Sequence, residues 1–310
     1  MNKNPVNLAI KIAMLKLLVL VSAVQAEISV VDGVGNVVSL EQPATRIVSL
    51  APHLTEQVFS AGAGDKLVGV VNYSDYPEQA KKLPVIGSYE KVSFESLVGL
   101  MPDLVLAWDS SGGEQLIARM KTLGFKVYVS KSKRIPEIAK SIRDIGTLSG
   151  TADVSEKTAE DFLKTYHRLV KENKNKTPLK VFYQLWHKPI MTTNNSHTIS
   201  NALEVCGGDN VFADAIPVIP RIGVESVVRR NPEVIIASGM GKESPEWLQE
   251  WRRWPDMNAV KVGALYSVPP DLLHRHSVRL LLGVELLCNH FDDARVRYNS
   301  NQVTSVGATK

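Results

Sequence analysis

The sequence predicts an α/β fold built from two similar lobes that one long helix joins. Strand and helix patterns alternate along the chain, which is typical of a parallel sheet covered by helices. Residues 93–108 align without a gap with residues 223–238, and both stretches carry a Glu-Ser pair, a proline and an apolar strand. Between these repeats, residues 152–174 contain no proline or glycine and have apolar residues at helical spacing. A helix of this length spans about 30 Å, which is enough to bridge two lobes.

The first segment has the pattern of a secretory signal peptide. Lys3 and Lys11 precede the uncharged apolar stretch 17–24, and small residues occupy the positions before a predicted cleavage after Ala26. Such a short stretch cannot span a hydrocarbon layer of roughly 30 Å, so a membrane anchor is not expected. We therefore predict export to the periplasm.

Composition and charge narrow the class of protein. The chain of 310 residues is 44% hydrophobic and 22% charged, which is ordinary for a soluble globular protein and excludes a disordered chain. Lysines of the predicted signal peptide account for most of the net charge of +4, so the remaining chain is close to neutral. That balance excludes a polybasic nucleic-acid binder.

The elements of the first lobe follow one another along the chain. A hairpin is expected around the turn residues 32–36, and Thr55 is expected to cap a helix that continues through Ala61. Ser93 is expected to cap a further helix that ends before Pro102. The predicted strands of this lobe are 46–50, 67–71, 103–108 and 126–129, with another helix over 114–123.

These patterns divide the chain into five segments. We expect a signal peptide at 1–26, an N-terminal lobe at 27–150, an inter-lobe helix at 151–175, a C-terminal lobe at 176–296 and a tail at 297–310. The tail is expected to be disordered because its residues lack hydrophobic periodicity.

The two cysteines, Cys206 and Cys288, are too few for a disulfide-built scaffold or a four-cysteine zinc site. In an oxidising compartment they would most simply pair with each other. That bridge would close a loop of about 80 residues and stabilise the fold by roughly 4 kcal/mol on the chain-entropy model. Two buried free thiols are the alternative.

Motifs of the common enzyme classes are missing from the sequence. It contains no Gly-x-Ser-x-Gly nucleophile turn, no phosphate-binding P-loop, no Gly-x-Gly-x-x-Gly dinucleotide loop and no His-Glu-x-x-His pair. An exported chain with two lobes and none of these motifs is better interpreted as a binding protein than as an enzyme. The alternative is a metal-dependent enzyme that uses His53, His274 and His276, although each of these also fits as a polar loop residue.

Aromatic side chains follow the ends of several predicted strands. Tyr73 and Tyr76 come after the second strand, Tyr89 lies in a Gly-Ser-Tyr turn, and Trp108 ends the third strand. In the second lobe, Trp186 follows the strand that corresponds to the first one. Because ligands of open α/β sheets bind at the carboxyl ends of the strands, we expect these side chains to face the crevice between the lobes. Aromatic faces there suit a large, planar, partly apolar ligand, whereas packing of loops onto the lobes is the alternative.

Four motifs carry a family resemblance that covers residues 45–292. They are the strand and turn at 46–52, the Tyr-Ser-Asp-Tyr-Pro block at 73–77, the strand at 102–108 and the Cys-Gly-Gly block at 203–212. In these motifs the sequence resembles the periplasmic vitamin B12 (cobalamin) substrate-binding proteins of ABC importers. They belong to the helical-backbone class, together with haem and ferric-siderophore receptors. The resemblance implies two Rossmann-like lobes joined by a single long α-helix.

The resemblance also implies a ligand site in the cleft. The corrin-contacting aromatics of the family match Tyr73, Tyr89 and Trp108, and Trp186 stands beside a further aromatic position of the family. Asp271 aligns with a cleft loop and is expected to orient the amide edge of the corrin. The expected function is therefore capture of cobalamin or a related corrinoid. No catalysis, no cofactor and no bound metal are expected.

A second implication concerns delivery of the ligand. Glu95 and Glu225 occupy equivalent positions of the internal repeat, and they match the two carboxylates with which the family docks onto arginines of the permease. The expected partners are an inner-membrane ABC permease and its ATPase, which a monomer approaches from the periplasm. The two cysteines of the family match Cys206 and Cys288, which favours the bridge. A haem or ferric-siderophore receptor, with Tyr73 or His53 as the iron ligand, is the alternative in the same class.

Overall fold

The computed structural model describes residues 27–88, 91–109, 113–239 and 246–307, with side chains up to residue 300. The predicted signal peptide and Tyr89 therefore lie outside the described residues. Within the described ranges, no helix combines the length and the apolar character that crossing a membrane requires.

The described chain begins with a β-hairpin. Strands β1 (Ile28–Val31) and β2 (Val37–Leu40) pair in antiparallel orientation. Between them, Asp32 Oδ1 accepts hydrogen bonds from the backbone N–H groups of Val34 (3.0 Å) and Asn36 (2.8 Å). Aspartate closes tight turns through this kind of local bonding, so the predicted hairpin is confirmed.

The N-terminal lobe is a parallel four-stranded sheet with helices on both faces. Its strands are β3 (Ile47–Ser49), β4 (Leu67–Gly69), β5 (Leu104–Trp108) and β6 (Val127–Ser130), in the spatial order β4-β3-β5-β6. Its helices are α1 (Pro52–Ser60), α2 (Phe94–Gly99), α3 (Glu114–Thr122) and α4 (Glu137–Ser149). Because both faces are covered, the strands are continuous apolar runs, and Leu104, Val105 and Leu106 are all fully buried.

Helix α1 begins earlier than the sequence predicts. It starts at Pro52, because proline has a preset φ and its missing N–H needs no partner in the first helical position. Thr55, the predicted cap, lies inside the helix, where its hydroxyl contacts the hydroxyl oxygens of Ser49 (3.0 Å) and Ser74 (3.1 Å). In α2 the predicted cap is confirmed, since the Ser93 hydroxyl accepts a hydrogen bond from the backbone N–H of Ser96, the third residue of the helix (3.1 Å).

Helix α5 (Ala152–Asn173) joins the two lobes, as the stretch without helix breakers predicts. Its buried residues Phe162 and Leu169 belong to a hydrophobic core that also contains Ile47 of the first lobe and Val181 of the second. The connecting helix is therefore packed into both lobes and is not a free-standing rod.

The C-terminal lobe is a second parallel four-stranded sheet. Its strands are β7 (Leu179–Gln184), β8 (Gly208–Asn210), β9 (Val234–Ala237) and β10 (Leu265–Ser267). Its α-helices are α6 (Thr198–Val205), α7 (Val224–Arg230), α8 (Asn258–Val262), α9 (Pro270–Leu273) and α10 (Leu280–Gly307), and a 3-10 helix covers Glu246–Arg253.

The two sheets share one strand order, which confirms the internal repeat. The first sheet reads β4-β3-β5-β6 and the second reads β8-β7-β9-β10, so corresponding strands occupy corresponding places. The residues that precede the shared proline, Met101 and Asn231, both adopt left-handed backbone conformations, with φ of 45° and 43°. Asparagine tolerates this conformation, whereas methionine adopts it only with strain.

A disulfide joins Cys206, at the end of α6, to Cys288 in α10. The Cα atoms of the two cysteines are 4.8 Å apart, within the range that a bridge requires. The predicted pairing is confirmed, and both ends of the bridge lie in the second lobe.

The end of the chain differs from the sequence-based expectation. Helix α10 continues to Gly307, so residues 297–307 are helical and the expectation of a disordered tail from residue 297 is wrong for them. A tertiary contact holds the start of this extension, because the Tyr298 hydroxyl donates to the Glu233 carbonyl (2.9 Å). Sequence periodicity does not register contacts of this kind.

Candidate ligand-binding cleft

The carboxyl ends of both parallel sheets meet between the lobes, where ligands of open α/β sheets bind. From the first lobe, His53 stands in the first turn of α1, directly after β3, and Trp108 is the last residue of β5. From the second lobe, His197 is the N-cap of α6, and His276 lies in the segment between α9 and α10. Residues distant in the sequence therefore share one place in the fold.

These four rings form a cluster that we call the floor cluster: His53, Trp108, His197 and His276. The ring of His53 lies 5.3 Å from that of Trp108 and 5.7 Å from that of His276, centroid to centroid. The ring of His276 also lies 6.4 Å from both Trp108 and His197. Most pairs meet edge to face, the arrangement that aromatic quadrupoles favour. The floor cluster thus links the two lobes through ring contacts.

Burial keeps the imidazoles of the floor cluster uncharged at neutral pH. Burial, reinforced by the positive charge of Arg275, lowers the pKa of His53 to about 3. Burial lowers the pKa of His197 to about 4, and burial followed by repulsion from His53 holds the pKa of His276 well below its ordinary value. A neutral surface of this kind accepts a partly apolar ligand at a lower desolvation cost than a charged one.

The three histidines proposed as metal ligands from sequence do not form one site. His53 and His276 are neighbours, but His274 points into the second lobe, where its Nε2 lies 2.9 Å from the Tyr183 hydroxyl. Across the part of the chain that the structure describes, no three His, Cys, Asp or Glu side chains are placed to hold a metal ion.

A charged network crosses the lobes beside the floor cluster, with Arg275 at its centre. Its guanidinium contacts Glu56 (3.0 Å) and Asp75 (2.6 Å) of the first lobe and Asp271 (3.0 Å) of its own lobe. Burial alone would raise the pKa of the Asp75 carboxyl, but the hydrogen bond and the charge of Arg275 lower it below its ordinary value. The side chains of Asp75 and Asp271 remain 47% and 41% exposed, so each keeps acceptor capacity for an amide N–H.

The predicted aromatic walls are partly accessible. Tyr73 is 75% exposed and has a positive φ of 66°, a conformation that bulky residues adopt only with strain. Trp186 is 41% exposed, and its indole N–H donates to the Lys188 carbonyl (3.2 Å). The structure thus leaves both side chains open to a ligand, while Trp108 joins the floor cluster. Tyr89 lies in the gap between the described ranges.

The two predicted docking carboxylates are exposed and occupy equivalent places. Glu95 is the second residue of α2 and Glu225 the second residue of α7. Each helix runs back toward a parallel strand, so each glutamate stands on the side of its lobe where the strands end. The pair therefore lies on the same side of the molecule as the cleft.

Several cleft residues carry no recognisable signal in the sequence. His197 serves as a helix cap, with Nδ1 accepting from the Ile199 N–H (3.1 Å), and its place in the floor cluster depends on the packing of the lobes. Glu56 is an ordinary helical glutamate in sequence but is buried in the structure. The rings of His187 and Trp247 stack with nearly parallel planes, and their centroids are 5.3 Å apart. In the sequence, the only sign of this aromatic contact is the high tryptophan content of the segment around Trp247.

A cavity of about 510 Å³ lies at the carboxyl end of β6, next to the hairpin turn and helix α4. Lys131, Lys133 and Lys140 are among its lining residues, and Lys131 and Lys140 already pair with Asp109 and Asp144. None of the residues of the floor cluster lines this cavity. It is therefore separate from the floor cluster.

Comparisons with known proteins agree with this geometry. The vitamin B12-binding protein of Vibrio cholerae is 36% identical over 254 residues, covering 82% of this chain and 91% of that protein. The crystal structure of the periplasmic vitamin B12-binding protein BtuF of Vibrio cholerae superposes with a TM-score of 0.76 at 35% identity, covering 82% of this chain and 98% of that one.

A more distant solved structure shares the fold alone. The periplasmic heme-binding protein RhuT of Roseiflexus sp. superposes with a TM-score of 0.72 at 23% identity, covering 81% of this chain and 99% of that one. The family model described as periplasmic binding protein matches residues 47–272. That range contains both sheets and the helix between them, which confirms the fold class expected from the sequence. The chain belongs to the periplasmic binding protein family.

Proposed function

We propose that this protein captures cobalamin or a related corrinoid between its lobes and delivers it to an ABC importer. The observation that carries the proposal is the neutral, aromatic floor cluster, to which both lobes contribute. Tyr73 and Trp186 add exposed aromatic side chains. The similarity to proteins named as vitamin B12-binding supports the same ligand class.

Binding would proceed without bond making or breaking. Tyr73 and Trp186, with Tyr89 in the family's pattern, would form walls against the planar corrin, and Trp108 would contact it from the floor. Asp271 would accept hydrogen bonds from the amide groups at the edge of the corrin. A site that offers contact surface and hydrogen-bond acceptors supports this role as a carrier.

Delivery would use the two exposed carboxylates on the cleft side. Glu95 and Glu225, one on each lobe, would dock onto basic residues of a two-fold symmetric inner-membrane permease that works with an ATPase. The protein would act as a monomer in the periplasm, exported by the signal peptide predicted at residues 1–26. The cargo would be the ligand itself, with no resident cofactor.

The direct test is calorimetric titration of the purified protein with cyanocobalamin. We expect binding at micromolar ligand or tighter, and no heat of binding at that concentration would contradict the proposal. Replacement of Trp108 by alanine should weaken binding by about 1–3 kcal/mol if its ring contacts the corrin. Tyr166→Ala, in the inter-lobe helix away from the cleft, is the matched control and should leave the affinity unchanged.

A haem or ferric-siderophore receptor is the second candidate. The observation that favours it is the exposure of Tyr73 at the cleft, since a tyrosine phenolate is one of the ligands that proteins use for haem iron. Absorbance spectroscopy with added haem separates the two candidates, because axial ligation would shift the Soret band. A shift that Tyr73→Phe abolishes, combined with no cyanocobalamin binding, would favour the second candidate.

A further inference from the structure

We propose that Glu56 is a positioning residue that fixes the angle between the two lobes and so holds the empty cleft ready for its ligand. Its carboxylate belongs to the first lobe, but its charged partners belong to the second. The effect on ligand affinity rests on the corrinoid-binding function proposed above. The effect on lobe geometry does not.

Glu56 contacts three side chains of the second lobe, and we call these four residues the clasp: Glu56, Arg275, Ser277 and Arg279. The side chain is 1% exposed and lies in the first half of α1. It accepts hydrogen bonds from Arg275 Nη1 (3.0 Å), from Ser277 Oγ (2.6 Å) and from both Nε (2.9 Å) and Nη2 (2.5 Å) of Arg279. All three donors lie in the segment between α9 and α10 of the second lobe.

The next residue of α1 holds the same segment from a second side. Gln57 Nε2 donates to the His276 carbonyl (2.5 Å), and its Oε1 accepts from the Ser141 hydroxyl of α4 (2.6 Å). Gln57 is fully buried, so these bonds are shielded from competition by water. The adjacent side chains of Glu56 and Gln57 thus contact four positions of one segment of the second lobe: Arg275, His276, Ser277 and Arg279.

The planar guanidinium group of Arg279 makes contacts with the first lobe both on its face and along its edge. Its guanidinium carbon lies 3.9 Å from the centre of the Tyr76 ring, which belongs to the first lobe. Along its edge, Nε and Nη2 of Arg279 donate to the two carboxylate oxygens of Glu56, and we call this bidentate pair the fork. Such bidentate pairs fix direction as well as distance. A rotation of one lobe against the other would therefore break the fork and the ring contact together.

Burial distinguishes this clasp from the exposed cross-lobe ion pair of Arg134 and Glu204. Arg134 and Glu204 meet at 3.2 Å, but their side chains are 56% and 62% exposed, and such pairs contribute little. Glu56 in contrast is surrounded by protein, and an opening of the lobes would separate its buried carboxylate from both arginines. The clasp should therefore keep most molecules in one lobe arrangement before the ligand arrives.

The consequence for binding follows from population arithmetic. If the clasp keeps nearly all molecules competent, and its loss leaves about one in ten competent, the apparent Kd rises about tenfold. Glu56 would then govern affinity without contacting the ligand, through the lobe angle and through the placement of Arg275 next to Asp271.

The test measures lobe geometry and affinity in the same variants. The sequence contains no cysteines besides the disulfide pair, so Lys121→Cys in α3 and Lys261→Cys in α8 give two exposed labelling sites, one on each lobe. Electron–electron double resonance between nitroxides at these sites reports the inter-lobe distance in the full-length folded protein without ligand. Calorimetry with cyanocobalamin reports the Kd. Glu56→Gln is compared with Glu204→Gln, which removes the exposed cross-lobe pair.

We expect Glu56→Gln to broaden or lengthen the distance distribution and to raise the Kd about tenfold, while Glu204→Gln changes neither. A loss of thermal stability without a change in the distance distribution would mean that Glu56 only stabilises the fold, and it would overturn the proposal. An altered distance with unchanged affinity would overturn the positioning role.

A milder variant covers the case in which Glu56→Gln fails to fold. Arg279→Lys keeps the positive charge but loses the fork, so it should shift the distance distribution in the same direction by a smaller amount. An unchanged distribution in this variant would overturn the clasp. If the unaltered protein does not bind cyanocobalamin, the proposed function fails, and the distance measurements alone decide the role of Glu56.

Discussion

Acidification should destabilise the protein through the buried imidazoles of the floor cluster. The perturbation is a change from pH 7 to pH 5, which protonates histidines of the unfolded chain, whose pKa is about 6.5. In the folded protein the pKa of His53 is about 3, so this residue stays neutral, and burial lowers the pKa of His276 well below its ordinary value. The unfolded state therefore binds more protons in this window, and the free energy of unfolding falls as the pH falls.

The magnitude follows from the linkage relation. At pH 5 nearly every unfolded histidine carries a proton and His53 in the fold does not, so this residue alone contributes a slope of about 1.3 kcal/mol per pH unit. Integrated from pH 7 to pH 5, the loss is about 2 kcal/mol for His53, and His276, whose pKa is lowered by burial, adds to the loss in the same direction. Together these losses would be a large fraction of an ordinary stability of about 5–15 kcal/mol.

Urea unfolding at a series of pH values measures this effect. The midpoint should decrease steadily from pH 7 to pH 5, and His53→Gln should show a dependence that is smaller by about 2 kcal/mol over the same range. The control is His167→Gln, since His167 is an exposed residue of the inter-lobe helix. Equal pH dependence in the unaltered protein and in His53→Gln would refute the reasoning.

Three further predictions concern stability and delivery. Reduction of the Cys206–Cys288 bridge, whose ends are 82 positions apart, should lower the free energy of unfolding by up to about 4 kcal/mol by the loop-entropy estimate. An unchanged melting temperature after reduction would contradict this prediction, and so would free thiols titrated in the denatured, non-reduced protein. Met101→Asn should stabilise the fold by about 1 kcal/mol in urea unfolding, because it relieves a left-handed methionine, and destabilisation would show that the side chain packs usefully. Charge reversal at both Glu95 and Glu225 should impair uptake of labelled cyanocobalamin by cells that contain the native importer. Calorimetry on the soluble protein should show unchanged affinity for cyanocobalamin. An equal loss of uptake and of affinity would exclude a docking role.

The fold was accessible from sequence because its signals are local or repeated. The alternation of strands and helices, the unbroken helix between the lobes and the gapless match of residues 93–108 with 223–238 each depend on short stretches. The same strand order in both sheets then follows from the same stretch folding twice. Boundaries were less predictable: α1 begins at a proline that suits its first position, and α10 extends through contacts made by Tyr298.

The site was accessible only in part. Trp108 and His53 could be placed from the rule that residues after parallel strands gather at one edge. The partners that complete the floor cluster, His197 and His276, come from loops of the other lobe, and no sequence pattern reports how two lobes face each other. Glu56 shows the limit most clearly, since a helical glutamate looks solvent-exposed in sequence until the arginines that bury it are seen.

One hydrophobic core runs through both lobes and helix α5, and its continuity has a thermodynamic consequence. Leu54 of the first lobe, Phe162 of the connecting helix and Phe291 of the second lobe belong to one continuous cluster. Neither lobe can melt without exposing apolar surface of the other, so the molecule should behave as one cooperative unit in spite of its duplicated plan. A ligand held in the cleft would then raise the melting temperature of the whole chain in one step, and a core defect in either lobe would lower it for both.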